Sequence, residues 1–310
     1  MSFLEESRGL GVFGRARRFI HKPGNEQMRS ILVRWAQVFP GVPLPMRLPT
    51  GLWWLAEKDF LGIAILSEGF EPIERAFVER FLRPGMTVLD VGAHHGFYTL
   101  LASRAVGRAG RVLAFEPSPR ERKRLNTHMR INRVRNVEVE SRAVGEELGT
   151  AELYLVCGTE TGCNSLRKPN VEQDTVKVTV PVERLDRVLE EHGIAQVDFV
   201  KLDVEGAELS VLKGAPELLS RRPRPVFLAE VQDIRTQPWG YRALDIVRHL
   251  ETLGFRWFRT VPGGGLEPMD LEHADYDGNF VAVPNEKVVS IERLMSDSWQ
   301  SSPDTRVPVI

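Results

Sequence analysis

Cysteine is almost absent from the 310 residues; Cys157 and Cys163 are the two present. Two thiols cannot make a disulfide framework, nor a zinc site without other ligands nearby, so both are expected as reduced thiols of a cytoplasmic protein. Long apolar runs are missing too. Nothing approaches the about 20 residues that a membrane helix requires, and no uninterrupted apolar core near the N-terminus suggests a signal peptide. Net charge is close to nil, 41 basic against 42 acidic residues. That balance gives no reason to expect a nucleic-acid or membrane-surface partner for the chain as a whole. What remains is the composition of a globular protein, at a length that α/β units often fill as one domain.

The most informative stretch is Met86 to Tyr98, Met-Thr-Val-Leu-Asp-Val-Gly-Ala-His-His-Gly-Phe-Tyr. Val88, Leu89 and Val91 read as a buried strand, Gly92 and Gly96 as a tight turn, and Phe97 onward as a helix. In a doubly wound sheet a nucleotide-like ligand lies at the carboxyl end of such a strand. The spacing is Asp-x-Gly-x-x-x-Gly. A dinucleotide fingerprint has Gly-x-Gly-x-x-Gly, which disfavours a nicotinamide dehydrogenase. Here a carboxylate, Asp90, precedes the first glycine, which suits a ligand carrying an ammonium or sulfonium group; S-adenosylmethionine is such a ligand. Glu116 ends the next predicted strand, 26 residues after Asp90. Its two oxygens suit the two hydroxyls of a ribose.

Before this unit, Phe13, Phe19 and Ile20 interleave with Arg15, Arg17, Arg18, His21 and Lys22. An amphipathic basic helix touching an anionic surface is one reading; a solvated helix on the main domain is the commoner one. A helix is expected over 25–39, then an extended linker broken by Pro40, Pro43, Pro45 and Pro49, then a helix over 68–82 entered through Glu71-Pro72. Glu68 and Glu71 either serve that helix N-terminus or face a ligand. The arginine-rich helix after Pro119 is read as a solvated face. Further strands are expected at 136–140, 152–156, 176–181, 197–203, 225–231, 255–261 and 279–283, the last two as an antiparallel pair. A helix and frayed tail are expected after Val288.

The second informative cluster is Lys201-Leu-Asp-Val-Glu-Gly-Ala-Glu208. Lys201, Asp203 and Glu205 alternate along a strand end and so share a face. Ionisable groups on the buried side of a central strand are costly unless paired or liganded.

Asp90 to Leu101, Ala-Phe-Glu-Pro at 114–117 and Lys-Leu-Asp-Val-Glu-Gly-Ala-Glu at 201–208 together resemble the FkbM-type methyltransferases, over roughly residues 68–283. The sequence departs from that family at His94, where Asn is frequent, and at Gln232, where His is frequent. The resemblance implies an α/β fold with a doubly wound, Rossmann-like class I sheet, mostly parallel with a closing antiparallel strand. It places a catalytic domain at 68–285, an N-terminal extension at 1–67 and a C-terminal helix and tail at 286–310. It implies S-adenosylmethionine as cofactor and a hydroxyl on a sugar, glycan, glycolipid or polyketide-like molecule as acceptor. Asp90, Gly92 and Gly96 would cradle the methionine end, with His94 or Tyr98 beside it; Glu116 would hold the ribose and Ala143 lie by the adenine. Asp203 and Glu205 would face the methyl group, with His94 behind them as a further candidate base. For the two acids, general-base action, electrostatic holding of the cofactor and divalent-metal binding remain open, though no pattern demands a metal. The alternative to an enzyme is a methyltransferase-like module that binds a nucleoside without turnover.

Overall fold

The computed structural model describes residues 23–295 apart from Pro40, Pro49, Glu68 and His273. The basic segment around Arg15 to Lys22, Glu68 and the predicted tail therefore lie outside the described residues. The chain begins with α1 (Pro23–Val38), a hairpin of β1 (Leu44–Arg47) and β2 (Trp53–Ala56), α2 (Phe60–Leu66) and α3 (Pro72–Phe81). Then come β3 (Thr87–Val91), α4 (Phe97–Val106), β4 (Arg111–Phe115), α5 (Pro119–Ile131), β5 (Val137–Glu140), β6 (Ala143–Val144), β7 (Gly149–Val156) and β8 (Thr175–Glu183). The second half holds α6 (Leu185–Glu191), β9 (Phe199–Leu202), α7 (Glu208–Lys213), α8 (Pro216–Ser220), β10 (Val226–Gln232), α9 (Asp233–Thr236), α10 (Ala243–Thr252), β11 (Phe255–Val261), β12 (Gly265–Pro268) and β13 (Asp277–Pro284).

Eight strands form the central sheet in the order β12-β11-β13-β10-β9-β3-β4-β5. From β10 to β5 neighbours are parallel. β13 is inserted antiparallel between β10 and β11, and β12 folds back on β11 at the edge. The expected mostly parallel sheet with an antiparallel closing strand is the architecture found, with β12 as an unanticipated addition. Both faces are covered. Val88, Val112, Phe199 and Leu228 pack on one side with Phe77, Phe81 and Leu100. Leu89, Leu113, Val200 and Phe227 pack on the other with Val188, Leu212 and Ile246. Burial on both faces is why these strands read as continuous apolar runs.

A small sheet, β6-β8-β7, stands apart from the main one. It carries the Cys157 to Gln173 loop over the carboxyl ends of β3, β4 and β9.

Three expectations need correction. The proline-punctuated linker contains a strand: β1 pairs antiparallel with β2. Pro45 is tolerated there because a two-stranded ribbon leaves edge positions without a ladder bond. α2 was not anticipated, although Asp59 caps it by accepting from the Gly62 amide at 2.7 Å. The predicted helix after Val288 is instead a pair of 3-10 turns, Asn285–Lys287 and Val289–Leu294. Ile291 and Leu294 bury in the same cluster as Val88. Leu32, Leu48 and Trp54 join that cluster too, so packing runs unbroken from α1 to the last turn.

Candidate active site

The turn after β3 is shaped by two close approaches. Gly92 has φ of +91°, and a Cβ there would lie 1.7 Å from the carbonyl oxygen of Asp203, so no side chain fits. Gly96 has φ of +89°; a Cβ there would meet Leu125 Cδ1 at 2.4 Å. Its role is the contact between α4 and α5. His94 also sits in the left-handed region, φ +50°, which turns its amide toward Glu116 Oε2 at 2.7 Å. Its ring stacks on His95 at 3.8 Å, and its Nε2 lies 3.2 Å from Thr161 Oγ1. Burial foremost, then His95, push the His94 pKa down to about 3. Asp90 lies below this turn, 2% exposed, accepting from the Thr99 hydroxyl at 2.5 Å. Burial pushes its pKa up to about 6.

Glu116 follows β4 directly. Oε1 accepts from the Ser118 amide at 2.8 Å while Oε2 accepts from His94. Two amides thus fix the carboxyl group, and burial still pushes its pKa up to about 8. Beside it is a cavity of about 60 Å³ lined by Gly92, His94, Glu116, Ala143, Asp203 and Glu205 together with apolar Phe115, Val144, Leu153 and Leu166. Gly162, Asn164 and Ser165 of the overlying loop close it. Ser165 holds that loop down by donating to the Glu205 carbonyl at 2.8 Å.

The other end of the cavity is acidic. Lys201 Nζ lies 2.7 Å from Asp203 Oδ2 and 2.9 Å from Asn279 Oδ1. Asn279 Nδ2 donates to Glu71 Oε1 at 3.0 Å, and the Tyr98 hydroxyl donates to Glu71 Oε2. Burial works against charge on Lys201, yet Asp203 and Glu71 hold its ammonium firmly protonated. Burial likewise opposes charge on Asp203, but Lys201 keeps its pKa below the usual carboxylate range.

Glu205 departs from the strand alternation predicted for it. β9 ends at Leu202, and Glu205 sits in a turn at φ +56°. Its Oε2 lies 2.8 Å from Arg235 Nε, and burial pushes its pKa up to about 8. Glu208 supports that turn by accepting from the Val204 and Gly206 amides. Glu230, beside Asp203 at the end of β10, is 8% exposed, and its Oε2 has no hydrogen-bond donor. Burial, then Asp203, raise its pKa well above normal. Asp203, Glu205 and Glu230 each bring one oxygen within 4.8 Å of the others. Gln232, two residues on and on the same face of β10, also buries an unpartnered Oε1.

A second polar cluster lies next to His94 and Glu116. His95 Nε2 is 2.7 Å from Glu121 Oε2, and Arg120 and Arg124 also face Glu121. Burial opposes the Glu121 charge, but His95 and these neighbours hold its pKa far below normal. Arg124 also bonds Glu57, and His128 bridges the His95 carbonyl and the Leu55 amide. This network ties the β2–α2 segment to α5.

Of the residues expected at the site, Gly92, His94, Glu116, Ala143, Asp203 and Glu205 line one cavity. Asp90 lies beneath it, Gly96 packs on α5, and Tyr98 is tied to Glu71. The motifs did not single out Arg235 or Asn279, and they marked Gln232 only as a departure from the family, not for the unpartnered oxygens of Glu230 and Gln232. Their signal was present in polar residues closing buried β10 and β13, but alternation alone does not tell which strands are neighbours.

A family profile described as "Methyltransferase FkbM domain" matches residues 90–257. The 31-O-demethyl-FK506 methyltransferase FkbM of Streptomyces tacrolimicus is 30% identical, over 49% of this chain and 68% of that protein. The 2-O-methyltransferase NoeI of Sinorhizobium fredii is 26% identical, over 48% of this chain and 65% of its own length. The chain spans less than two thirds of several curated relatives, down to 10% in one case. Among solved structures, the methyltransferase FkbM of Methylobacillus flagellatus is 17% identical with a TM-score of 0.45, covering 72% of this chain and 52% of that one.

Proposed function

Since the chain belongs to the FkbM methyltransferase family, we propose that it is an S-adenosylmethionine-dependent enzyme that methylates an acceptor hydroxyl at the carboxyl ends of β9 and β10. S-adenosylmethionine, when bound, supplies a methyl group on a sulfonium that is already a good leaving group. The observation that carries the reading is one cavity with a fixed carboxylate, Glu116, at one end and the acids Asp203, Glu205 and Glu230 at the other.

The residues fit such a ligand. Glu116, oriented by two amides, has lone pairs left for a ribose diol. Phe115, Val144, Leu153 and Leu166 make an apolar slot for an adenine, with Ala143 beside it. The acidic end suits a sulfonium and an ammonium. Small-molecule sites usually enclose some 300–1,000 Å³. The loop carrying Gly162 to Leu166 therefore has to lift for a nucleoside to enter.

Roles for the acids follow from their partners. Asp203, ionised and held by Lys201, acts as a fixed charge that orients the cationic ligand. Glu230 Oε2 has no hydrogen-bond partner and lies beside Asp203 and Glu205 at the carboxyl ends of β9 and β10. Their raised pKa values keep Glu230 and Glu205 largely protonated near neutrality, which suits them to donate to the acceptor; Asp203, held ionised, is the proton acceptor we favour. Correct alignment of an acceptor oxygen with the methyl carbon is worth several kcal/mol by itself, and a base within reach adds a factor of about 10²–10⁴. Oxygen as the acceptor atom is supported by the two named O-methyltransferases among the relatives.

Calorimetric titration with S-adenosylhomocysteine tests the cofactor reading. Binding lost in Glu116→Ala is expected; a folded protein that binds neither this product nor S-adenosylmethionine overturns it. Label from methyl-tritiated S-adenosylmethionine, followed over a panel of polyol, glycan and macrolide acceptors, then tests oxygen transfer. The non-catalytic alternative gains ground if the cofactor binds and no panel member is labelled.

A further inference from the structure

The cavity absorbs the acidic groups but leaves a basic and apolar surface of α1, the β1–β2 hairpin and α5 unexplained. Six of the ten exposed large hydrophobic residues among the described residues lie there: Ile31, Val38, Phe39, Val42, Trp53 and Ile131. They are linked through the fold. Trp35 packs at a tilt against Phe39 and its Nε1 donates to the Val42 carbonyl. β1 leads from there to Arg47, whose guanidinium lies 4.8 Å over the Trp53 ring. Trp53 is held by its backbone to Asn132 at the end of α5 in two hydrogen bonds, 2.7 and 2.8 Å. Ile131 is the neighbouring residue.

α5 adds the charge. A surface groove along it is lined by Arg122, Lys123, Arg130 and Arg133 with no acid among its lining residues. Lys123, Arg130 and Arg133 are not ion-paired with a described residue, whereas Arg122 donates to the Glu116 and Pro117 carbonyls; the nearby acids Glu121 and Glu57 are taken by Arg120, Arg124 and His95. The sequence adds to the asymmetry. Residues 1–47 carry eight Lys or Arg against three acids, within a chain of net charge −1.

We propose that this flank, α1, the β1–β2 hairpin and the basic face of α5, docks the enzyme peripherally on an anionic lipid surface. Apolar residues exposed together and rimmed by polar ones mark interaction sites. A nucleic-acid backbone would satisfy the arginines but leave Ile31, Val38 and Val42 in water; a neutral apolar partner would leave Lys123, Arg130 and Arg133 unmatched. An anionic bilayer interface satisfies both, taking tryptophan and aliphatic side chains at headgroup depth while Lys and Arg meet the phosphates. No described helix is long and apolar enough to cross a membrane, so the association proposed is at the surface. This proposal is independent of the cofactor and acceptor assigned above.

Flotation of the full chain with vesicles of phosphatidylcholine, alone or mixed with phosphatidylglycerol, tests it. Binding only to the mixed vesicles, weakening with salt, is expected. A Lys123→Glu/Arg130→Glu variant should partition about tenfold more weakly or less still, and Val38→Ser/Phe39→Ser should also lose binding. Both variants should keep the parent's thermal transition and its S-adenosylhomocysteine affinity, which separates lost docking from lost folding. Wild-type protein that fails to float, or variants that float like it, overturn the proposal. So does tight binding of a single-stranded oligonucleotide that Lys123→Glu/Arg130→Glu abolishes and Val38→Ser/Phe39→Ser leaves intact, or a dimer that buries Val38 and Phe39 without vesicle binding.

Discussion

Lys201 and Asp203, two residues apart, form an ion pair of 2.7 Å with the ammonium 3% and the carboxylate 27% exposed. Through Asn279 the same ammonium reaches β13, so one cation joins two strands beneath the site. Removing one partner of a buried pair leaves an uncompensated charge. Lys201→Met is therefore expected to lower unfolding free energy by about 3–5 kcal/mol, read from urea denaturation. A loss under about 1 kcal/mol would mean that water already reaches the pair.

Glu116 is fixed by two amides and faces the cavity. If it holds a ribose diol, Glu116→Gln loses charge assistance on two hydrogen bonds. Above pH 8, where Glu116 is ionised, S-adenosylhomocysteine should then bind about 10- to 100-fold more weakly, with little change in thermal stability. Equal affinity in the variant would remove Glu116 from the binding site.

The pKa of Glu116, pushed up to about 8, gives that interaction a pH dependence. Below this value the carboxyl group is largely protonated, and above it the stronger acceptor form dominates. Affinity for S-adenosylhomocysteine should rise between pH 7 and pH 9. Glu205 titrates in the same range, so the comparison needed is with Glu116→Gln, in which the rise should largely vanish. In stability the sign is opposite. A carboxyl group raised to about 8 takes up a proton in the folded state that the unfolded chain has released above about 4.5, so its contribution falls as pH climbs through that window.

The two glycines after β3 should respond differently to alanine. At Gly92 the added Cβ would overlap a backbone carbonyl that belongs to β9's exit, at a φ that alanine resists. Gly92→Ala should cost more than about 4 kcal/mol or prevent folding. At Gly96 the clash is with the end of the Leu125 side chain, which can rotate. About 1–3 kcal/mol is expected there. Thermal melts of both variants give the order, and a reversed order would contradict this account of the turn.

Much of this was legible in the sequence because it was local. Val88 to Gly96 reads as strand and turn from neighbouring residues alone, and Glu116 stands next to its strand. The central sheet followed from apolar runs of the right length. What was not legible depends on which strands become neighbours. Asn279 lies 78 residues from Lys201, and no periodicity announces that pairing. Glu205 was placed by strand alternation, but its backbone had already left the strand; the left-handed turn that aims it at Arg235 has no signal beyond Gly206. β1 was masked by its prolines, which mark a linker far more frequently than a strand.

The insertion of β13 between β10 and β11 has a consequence for the order of assembly. As the chain leaves the ribosome, α10 and β11 emerge before β13, yet β11 reaches the sheet only through β13. Until residues 277–284 are free of the exit tunnel, β10 presents an open edge, and Lys201 waits for Asn279. Pairing of β13 is thus a late, long-range event, of the kind that slows folding and leaves strand edges open to association. The site becomes whole only after residue 284 has emerged, which keeps a shorter nascent chain from presenting a finished pocket.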